Sequence, residues 1–306
     1  MHPPFHFFYG SSPWHYYLTQ AIPILCGPCL PFVLHGAWLC ARGDAGAKGR
    51  TVLWVVAWTT GVYSLAGHKE WRFLHPILPL LHLLAAKSVV DLYHKHLPST
   101  SRTKPNTRLP IRKIHLTFLF LSVPIGIYAA RFHAHAQISV LRYLRGLPEE
   151  ELKSVGFLMP CHSTPGQAYL HRSMEEGRLW ALGCEPPVGI PAQDLRAYRD
   201  QTDVFYASPI EYLTTRFPPV VDTTFPPSPF PRSLPGTPAS AMEIPPWRHE
   251  WPSHLVFFDA LLQHKGVEGL LKKIGYAEVW KAGNWLEEDW RRRGGVRVWR
   301  FIKEHK

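Results

Sequence analysis

The sequence predicts an α-helical multi-pass membrane domain over residues 1–131, followed by a small α/β domain over residues 132–306. Three observations carry this division. Apolar runs of about bilayer-crossing length are confined to the first part. Beyond residue 132, short apolar strand patterns alternate with helical ones in a polar, aromatic-rich background. Two basic loops separate the apolar runs, with a compact cluster of both charge signs between them. Averages over the chain hide the contrast: 46% hydrophobic content and a mean hydropathy of −0.12 would alone suggest a soluble protein.

The first run, 22–41, contains no Lys, Arg, Asp or Glu, and 51–67 is equally clean. The run 114–131 is free of charge until Arg131. These three meet the minimum of about 17 residues for a span. The run 73–90 carries Lys87, so it crosses with tilt and snorkelling or lies as a re-entrant helix. Pro23, Pro28, Pro31, Pro76, Pro79 and Pro124 fall inside these runs, where neighbouring helices can satisfy freed carbonyls, so kinked helices are expected.

Orientation follows from charge. Residues 92–113 hold Lys95, Arg102, Lys104, Arg108, Arg112 and Lys113 with no acid, and 42–50 hold Arg42, Lys48 and Arg50 against Asp44. The positive-inside rule puts both loops in the cytosol. Four spans then put the amino-terminal stretch, the loop at 68–72 and the α/β domain on the opposite side. The net charge of +11 does not indicate nucleic acid, because the basic residues sit in a short loop with no binding module around them. Met1-His2-Pro3-Pro4-Phe5 lacks the basic region and cleavage site of a secretory signal, and the chain reads as though it begins mid-protein.

The chemistry concentrates at His68, Lys69, Glu70 and Arg72. Such a cluster at a membrane boundary is costly to desolvate, so it either pins two helix ends or faces a polar ligand. Trp14, His15, Tyr16 and Tyr17 read equally as an interfacial aromatic belt or as a sugar-stacking surface.

Four stretches carry a resemblance: Phe8-Tyr9-Gly10, Pro13-Trp14-His15-Tyr16-Tyr17, His68-Lys69-Glu70-Trp71-Arg72-Phe73, and Phe157 to Pro165 with its Met-Pro-Cys-His-Ser-Thr-Pro run. Together they resemble glycosyltransferase family 22, and the first, second and last point to its GPI-anchor branch. Asp203-Val204-Phe205-Tyr206, Pro209 and Pro252-Ser253-His254-Leu255 fit the same pattern. The resemblance implies a partial GT-C-like fold in the endoplasmic reticulum membrane, with the carboxy-terminal domain lumenal. It implies a hexosyltransferase that moves mannose from dolichyl phosphate mannose to the GPI-anchor precursor glycolipid, as the third mannose in α1,2 linkage. No cofactor and no metal are expected, because the leaving group is a lipid phosphate. Substrate contacts are expected from His68, Lys69, Glu70, Arg72, Trp14, His15 and Tyr16, with Lys69 and Arg72 as cations for the departing phosphate. The reaction also needs a carboxylate to deprotonate the acceptor hydroxyl. The family places its acidic residues in a first lumenal loop, which nothing before Phe5 can supply. An amino-terminally truncated form with no catalytic residue assigned is therefore expected, with Glu70 paired to Lys69 or Arg72. The alternatives are a mannosyltransferase of lipid-linked N-glycan assembly and a non-catalytic membrane protein that keeps a lipid or glycan groove.

Other motifs carry less. Cys26-Gly27-Pro28-Cys29 has thioredoxin-like spacing but sits in an apolar span, where a thiolate is disfavoured. Cys161-His162-Ser163 places neighbours on opposite faces of a strand, which spoils a dyad, and a turn at Ser163-Thr164-Pro165 is the simpler reading. Among eighteen histidines, no pair shows a metal-binding spacing with a third ligand nearby. An oxidising lumen permits a Cys161–Cys184 bridge, which spacing alone does not decide, and Cys40 should be free.

In the α/β domain, strands are expected at 155–159, 204–207, 255–258, 277–281 and 296–302, with helices at 192–198, 210–217 and 258–274, forming a mainly parallel sheet. Ten prolines between Phe217 and Trp247 mark an excursion over 217–247. Glu287 with Arg291 and Glu288 with Arg292 suggest i,i+4 pairs on a solvated helix.

Overall fold

The computed structural model describes residues 10–96, 112–186, 198–231, 247–287 and 289–302. Phe8 and Tyr9, most of the basic loop (97–111), residues 192–197 of one expected helix, the middle of the proline-rich excursion (232–246) and Glu288 lie outside them. The chain forms two compact units, divided between Ala129 and Ala130.

The first unit is helical. Helix α1 (Tyr17–Arg42) is continuous but irregular: a π turn at Tyr17–Ala21, an α segment at Ile22–Cys26, a 3-10 turn at Gly27–Cys29, then α-helix from Leu30. Pro23, Pro28 and Pro31 each lack a backbone donor, and Gly27 takes a φ of 48° to absorb the break. Gly43, at φ 92°, ends α1, and α2 (Gly46–Ser64) returns along the bundle. Helix α3 (Trp71–Lys95) opens as a 3-10 turn at Trp71–Ile77 and continues as α-helix; α4 is Lys113–Arg131.

Helices α1 and α3 meet at Gly36, where a Cβ would overlap the carbonyl of Leu84. Small residues permit this close approach, and a hydrogen bond between His35 Nδ1 and Ser88 Oγ (2.8 Å) fixes the register. Tyr17, Phe32, Val33, Leu74, Ile77, Leu81 and Leu84 fill the core around it. Gly36→Val is expected to force α1 and α3 apart and cut the yield of monodisperse protein in detergent severalfold. Gly61→Val should leave the yield unchanged, because the space at Gly61 is open; size-exclusion chromatography of the two variants checks both.

Among the described residues, three segments are long and apolar enough to cross a membrane: α1, α3 and Lys113–Gly146. Two expectations change. The run 73–90 is extended at both ends into a helical segment, Trp71–Lys95, long and apolar enough to span. The run 51–67 does form a helix, but α2 starts at Gly46 and takes Lys48 and Arg50 into its first turns, so it falls short on apolarity. Helix α4 has no buried residue and exposes Phe118, Phe120, Leu121, Val123, Ile125 and Ile127, which suits a lipid environment.

The second unit is built on five strands: β1 (Val155–Leu158), β2 (Leu179–Ala181), β3 (His254–Phe258), β4 (Tyr276–Ala282) and β5 (Val296–Phe301). Their order is β2-β1-β3-β5-β4. Strands β2, β1 and β3 are parallel, with Val155 beside both Leu179 and His254, whereas β5 runs antiparallel to β3 and β4. The sheet is thus mixed and not mainly parallel, because β4 turns back into β5 without a crossover helix. Helix α5 (His135–Gly146) buries Ala136, Val140, Leu141 and Leu144 in the core that includes Val256 and Val298. A second core gathers Trp180, Phe205, Tyr212, Phe217, Trp247, Trp251 and Trp299.

Further sequence expectations are corrected here. Residues 204–207 belong to helix Gln201–Ala207, because Asp200 Oδ1 accepts the amide of Asp203 at 2.7 Å and caps it. The helix expected over 258–274 is broken into a 3-10 turn (Asp259–Gln263) and an α-helix (Val267–Ile274), with Gly266 at φ 89° between them. Strand β2 was not expected; three residues are too few to show a period. The near part of the proline-rich excursion packs down, since Phe225 is buried and the Trp251 indole donates to Pro218 O at 2.7 Å. Arg291 and Arg292 pair with Asp289, which caps the short 3-10 turn Trp290–Arg292, and Glu287 lies outside any helix; the expected Glu288–Arg292 pair falls outside the described residues.

Candidate functional site

The charged cluster sits at one end of the helical unit, where the chain before α1 meets the link between α2 and α3. The amide of Ser12 donates to Gly67 O at 3.1 Å. Lys69 is 6% exposed, and its ammonium donates to Ser12 O (2.7 Å) and Ala66 O (2.6 Å). A buried ammonium is tolerable only when carbonyls replace its water, and here they tie the chain before α1 to the α2–α3 link. Lys69 therefore acts as a clasp and does not pair with Glu70.

Glu70 is the hub of the exposed layer. His68 Nε2 lies 2.9 Å from Glu70 Oε1, and His68 Nδ1 lies 3.3 Å from Gly10 O. Arg72 donates from Nη2 to Oε1 at 2.9 Å and from Nε to Oε2, a two-point grip on the carboxylate. The hydrogen bond from His68 holds the Glu70 carboxyl below the usual range; burial opposes this and Arg72 adds to it. With both oxygens engaged, Glu70 is a poor proton acceptor and a good orienting group. Arg72, 64% exposed, keeps the outer edge of its guanidinium toward solvent, an arrangement suited to a phosphate.

The aromatic residues follow the same chain segments. Trp14 is 69% exposed and packs edge-on to His15 at 5.6 Å, while His15 Nδ1 bonds Thr19 Oγ1 at 3.1 Å. Tyr16 meets Tyr17 edge-on at 5.5 Å, and Tyr17 is fully buried. The Gly10–Ser12 carbonyls and Trp71, edge-on to His75 at 5.3 Å and exposed, join this end without having been singled out. Backbone carbonyls carry no sequence signal, and partners 57 positions apart, as Lys69 and Ser12 are, leave no local spacing to read.

In the α/β unit, the remaining motif runs converge. Cys161 and Cys184 form a disulfide with Cα atoms 5.9 Å apart, which answers the question the spacing left open. Cys161 to Ser163 leave the strand in a turn, with His162 at φ 59° and the Ser163 hydroxyl on Pro160 O at 2.5 Å. His162 lies near both sulfurs, but sulfurs bonded to each other offer no thiolate for a metal. Cys26, Cys29 and Cys40 are free. Tyr206 donates to Leu158 O at 3.2 Å, and Thr202 Oγ1 accepts from the amide of Cys161 at 3.3 Å, so the helix Gln201–Ala207 that holds the Asp203–Tyr206 run braces the start of the disulfide loop.

Deeper in this unit, Gln201 Nε2 donates to the Tyr212 hydroxyl (2.9 Å), which donates to His249 Nε2 (2.8 Å). Burial pushes His249 from 6.5 down to about 3, with Arg216 adding to the shift. Burial likewise pushes His254 down to about 4. Both stay neutral in the folded state. Their contribution to stability is complete above 6.5 and is lost as pH falls through about 4 and then about 3. The melting temperature of the purified protein is expected to drop steadily below pH 6.5, with a shallower slope in His249→Leu; thermal melts across that range check it.

Residues 5–171 match the Alg9-like mannosyltransferase family. The chain belongs to that family. It is 35% identical over 95% of its length to "GPI mannosyltransferase 3" of Emericella nidulans, and covers 46% of that protein. It is 34% identical over 95% of its length to the Yarrowia lipolytica protein of the same name, covering 49% of it. With "GPI alpha-1,2-mannosyltransferase 3" of Danio rerio it shares 32% identity over 89% of the chain and 41% of the relative. The chain thus spans about half the length of the curated relatives it matches. No solved structure matches it. The stretch matched by the Alg9-like family holds the charged cluster, the aromatic residues before α1 and the first half of the disulfide.

Proposed function

We propose that this chain is part of a mannosyltransferase of GPI-anchor biosynthesis, adding the third mannose in α1,2 linkage from dolichyl phosphate mannose to the GPI precursor glycolipid. The observation that carries the reading is the extended similarity to proteins named for this activity, which continues beyond the family-matched residues through the α/β unit. The name of the Danio rerio relative supports the linkage.

The geometry supplies part of the chemistry. In the transfer, the bond between mannose C1 and the phosphate oxygen breaks, charge gathers on the departing dolichyl phosphate, and the acceptor hydroxyl loses a proton to a base. Arg72, held by Glu70, is the group placed to take up the phosphate charge, worth most in the transition state. The exposed face of Trp14 is suited to stack on a sugar ring. Glu70 is committed to His68 and Arg72, so no base is assigned within this cluster. No cofactor or metal is part of the proposed reaction.

Membrane topology fits the same reading. Helices α1 and α3 are both long enough to span, and both begin at the end marked by the Lys69 clasp. They therefore run in parallel, and α2, which starts beyond Arg42 and returns to Ser64, must cover the distance between their ends. At 19 residues it is about 28 Å long, close to the hydrocarbon thickness of about 30 Å. We infer that α2 crosses as well, giving four spans with the basic loops cytosolic. The charged cluster and the α/β unit are then lumenal in the endoplasmic reticulum, an oxidising compartment that suits the Cys161–Cys184 bridge.

Microsomes containing the chain joined to the rest of the Emericella nidulans relative, of which it covers 46%, supplied with dolichyl phosphate [³H]mannose and a two-mannose GPI precursor, test the proposal. Label in a three-mannose product that α1,2-mannosidase releases supports it. Label in lipid-linked N-glycan precursor would move the protein to that branch, and no transfer despite membrane insertion would leave the non-catalytic reading.

A further inference from the structure

The α/β unit carries an apolar patch where the chain leaves α4. Phe132 follows Arg131, the last residue of α4, by one peptide bond. Trp285, from the segment after β4, stacks on it with ring centroids 5.7 Å apart and planes 24° from parallel. Trp285 is 69% exposed, and Leu286 beside it is 81% exposed.

This contact is built. Asn284 accepts the amide of Ala136 at 3.0 Å and donates to Gln137 Oε1 at 2.8 Å, fastening the segment to the first turn of α5. Ala136 and Gln137 are themselves buried. Leu286 stands at φ 54°, a left-handed conformation that glycine or asparagine adopts at less cost. In water, leucine here is unfavourable twice over, for its backbone and for its hydrated side chain.

We propose that Phe132, Trp285 and Leu286 form an interfacial membrane contact, which seats the segment after β4 in the headgroup region of the bilayer that α4 crosses. Lipid is the occupant because of chain continuity. Helix α4 is about 28 Å long against a hydrocarbon core of about 30 Å, so its last residue lies at the interface. Consecutive Cα atoms are about 3.8 Å apart, so Phe132 lies at that depth, and a ring stacked on it shares it. Tryptophan favours this layer, with its ring among the headgroups and its N–H hydrated, while leucine reaches toward the acyl chains. The contact fixes the depth of one edge of the α/β unit. It rests on α4 being a span and does not depend on the proposed transfer reaction.

Photocrosslinking of the full chain in phosphatidylcholine vesicles carrying a radiolabelled lipid tests this. p-Benzoylphenylalanine is placed at Leu286 and, separately, at Trp285, which keeps an aromatic side chain if the first variant folds poorly. The exposed Phe120 of α4 is the lipid-facing reference, and the exposed Val220 of the α/β unit is the aqueous one. Label transfer from 285 or 286 comparable to that from 120, and about tenfold above that from 220, is the expected result. Label at the level of 220, or crosslinks to another polypeptide instead of lipid, overturns the proposal. Absence of label at 120 removes the span and the proposal with it, whatever the transfer activity.

Discussion

In a complete enzyme carrying these residues, such as a chimera with the rest of the Emericella nidulans relative, Arg72→Ala is expected to lower mannosyl transfer by about 10²–10³-fold while leaving protein level and membrane insertion unchanged. Arg72 is exposed, and among the described residues its ion pair and hydrogen bond are with Glu70, so its removal deletes one charged contact without opening the core. Loss of a cation that meets the leaving phosphate falls on turnover more than on donor affinity, because the charge grows as the bond breaks. Arg72→Lys is expected to recover only part of the rate, since an ammonium cannot grip Glu70 at two points and still present a flat donor edge. The check is turnover at saturating donor in microsomes matched for protein amount. Unchanged turnover in Arg72→Ala would reduce the cluster to an anchor.

Lys69→Met should fail differently. Its ammonium is buried, and its removal takes the charged donor from both Ser12 O and Ala66 O. Hydrogen bonds to a charged donor contribute about 1.5–3 kcal/mol each, so losing both removes a large share of a marginal stability of about 5–15 kcal/mol. The segment before α1 would come loose from the start of α3. Protein level is expected to fall severalfold, and the molecules that survive should melt at lower temperature. Quantitative immunoblotting with thermal-shift measurement separates the two variants. Arg72→Ala changes rate at constant amount, and Lys69→Met changes amount. A Lys69→Met protein of normal stability and low turnover would reverse the roles assigned to the two cations.

How much could be read from the sequence depended on whether the signal was local. The apolar runs before residue 132 have a composition that the membrane imposes residue by residue, so α1, α3 and α4 were legible as helices in segments long and apolar enough to span. Helix α2 was harder, because folding added a polar first turn that belongs to neither the run nor the loop. Strands β1, β3, β4 and β5 showed as short apolar segments, but pairing direction is a property of the connections, and the antiparallel edge was missed. At 204–207, the pattern suggested a strand until the Asp200 cap decided for a helix. The site shows the same division. The charged run stood out at once, yet the separate tasks of Lys69 and Arg72 depend on carbonyls and burial that no spacing encodes.

Restoring the third mannose in cells that lack this step tests the account most directly. The chain is expressed by itself and as a chimera carrying the rest of the Emericella nidulans relative, and surface GPI-anchored protein is scored together with the mass of the accumulated precursor. Rescue by the chimera, lost again with Arg72→Ala, is the expected result. A chimera that inserts correctly and leaves the two-mannose precursor unchanged would contradict the proposed function.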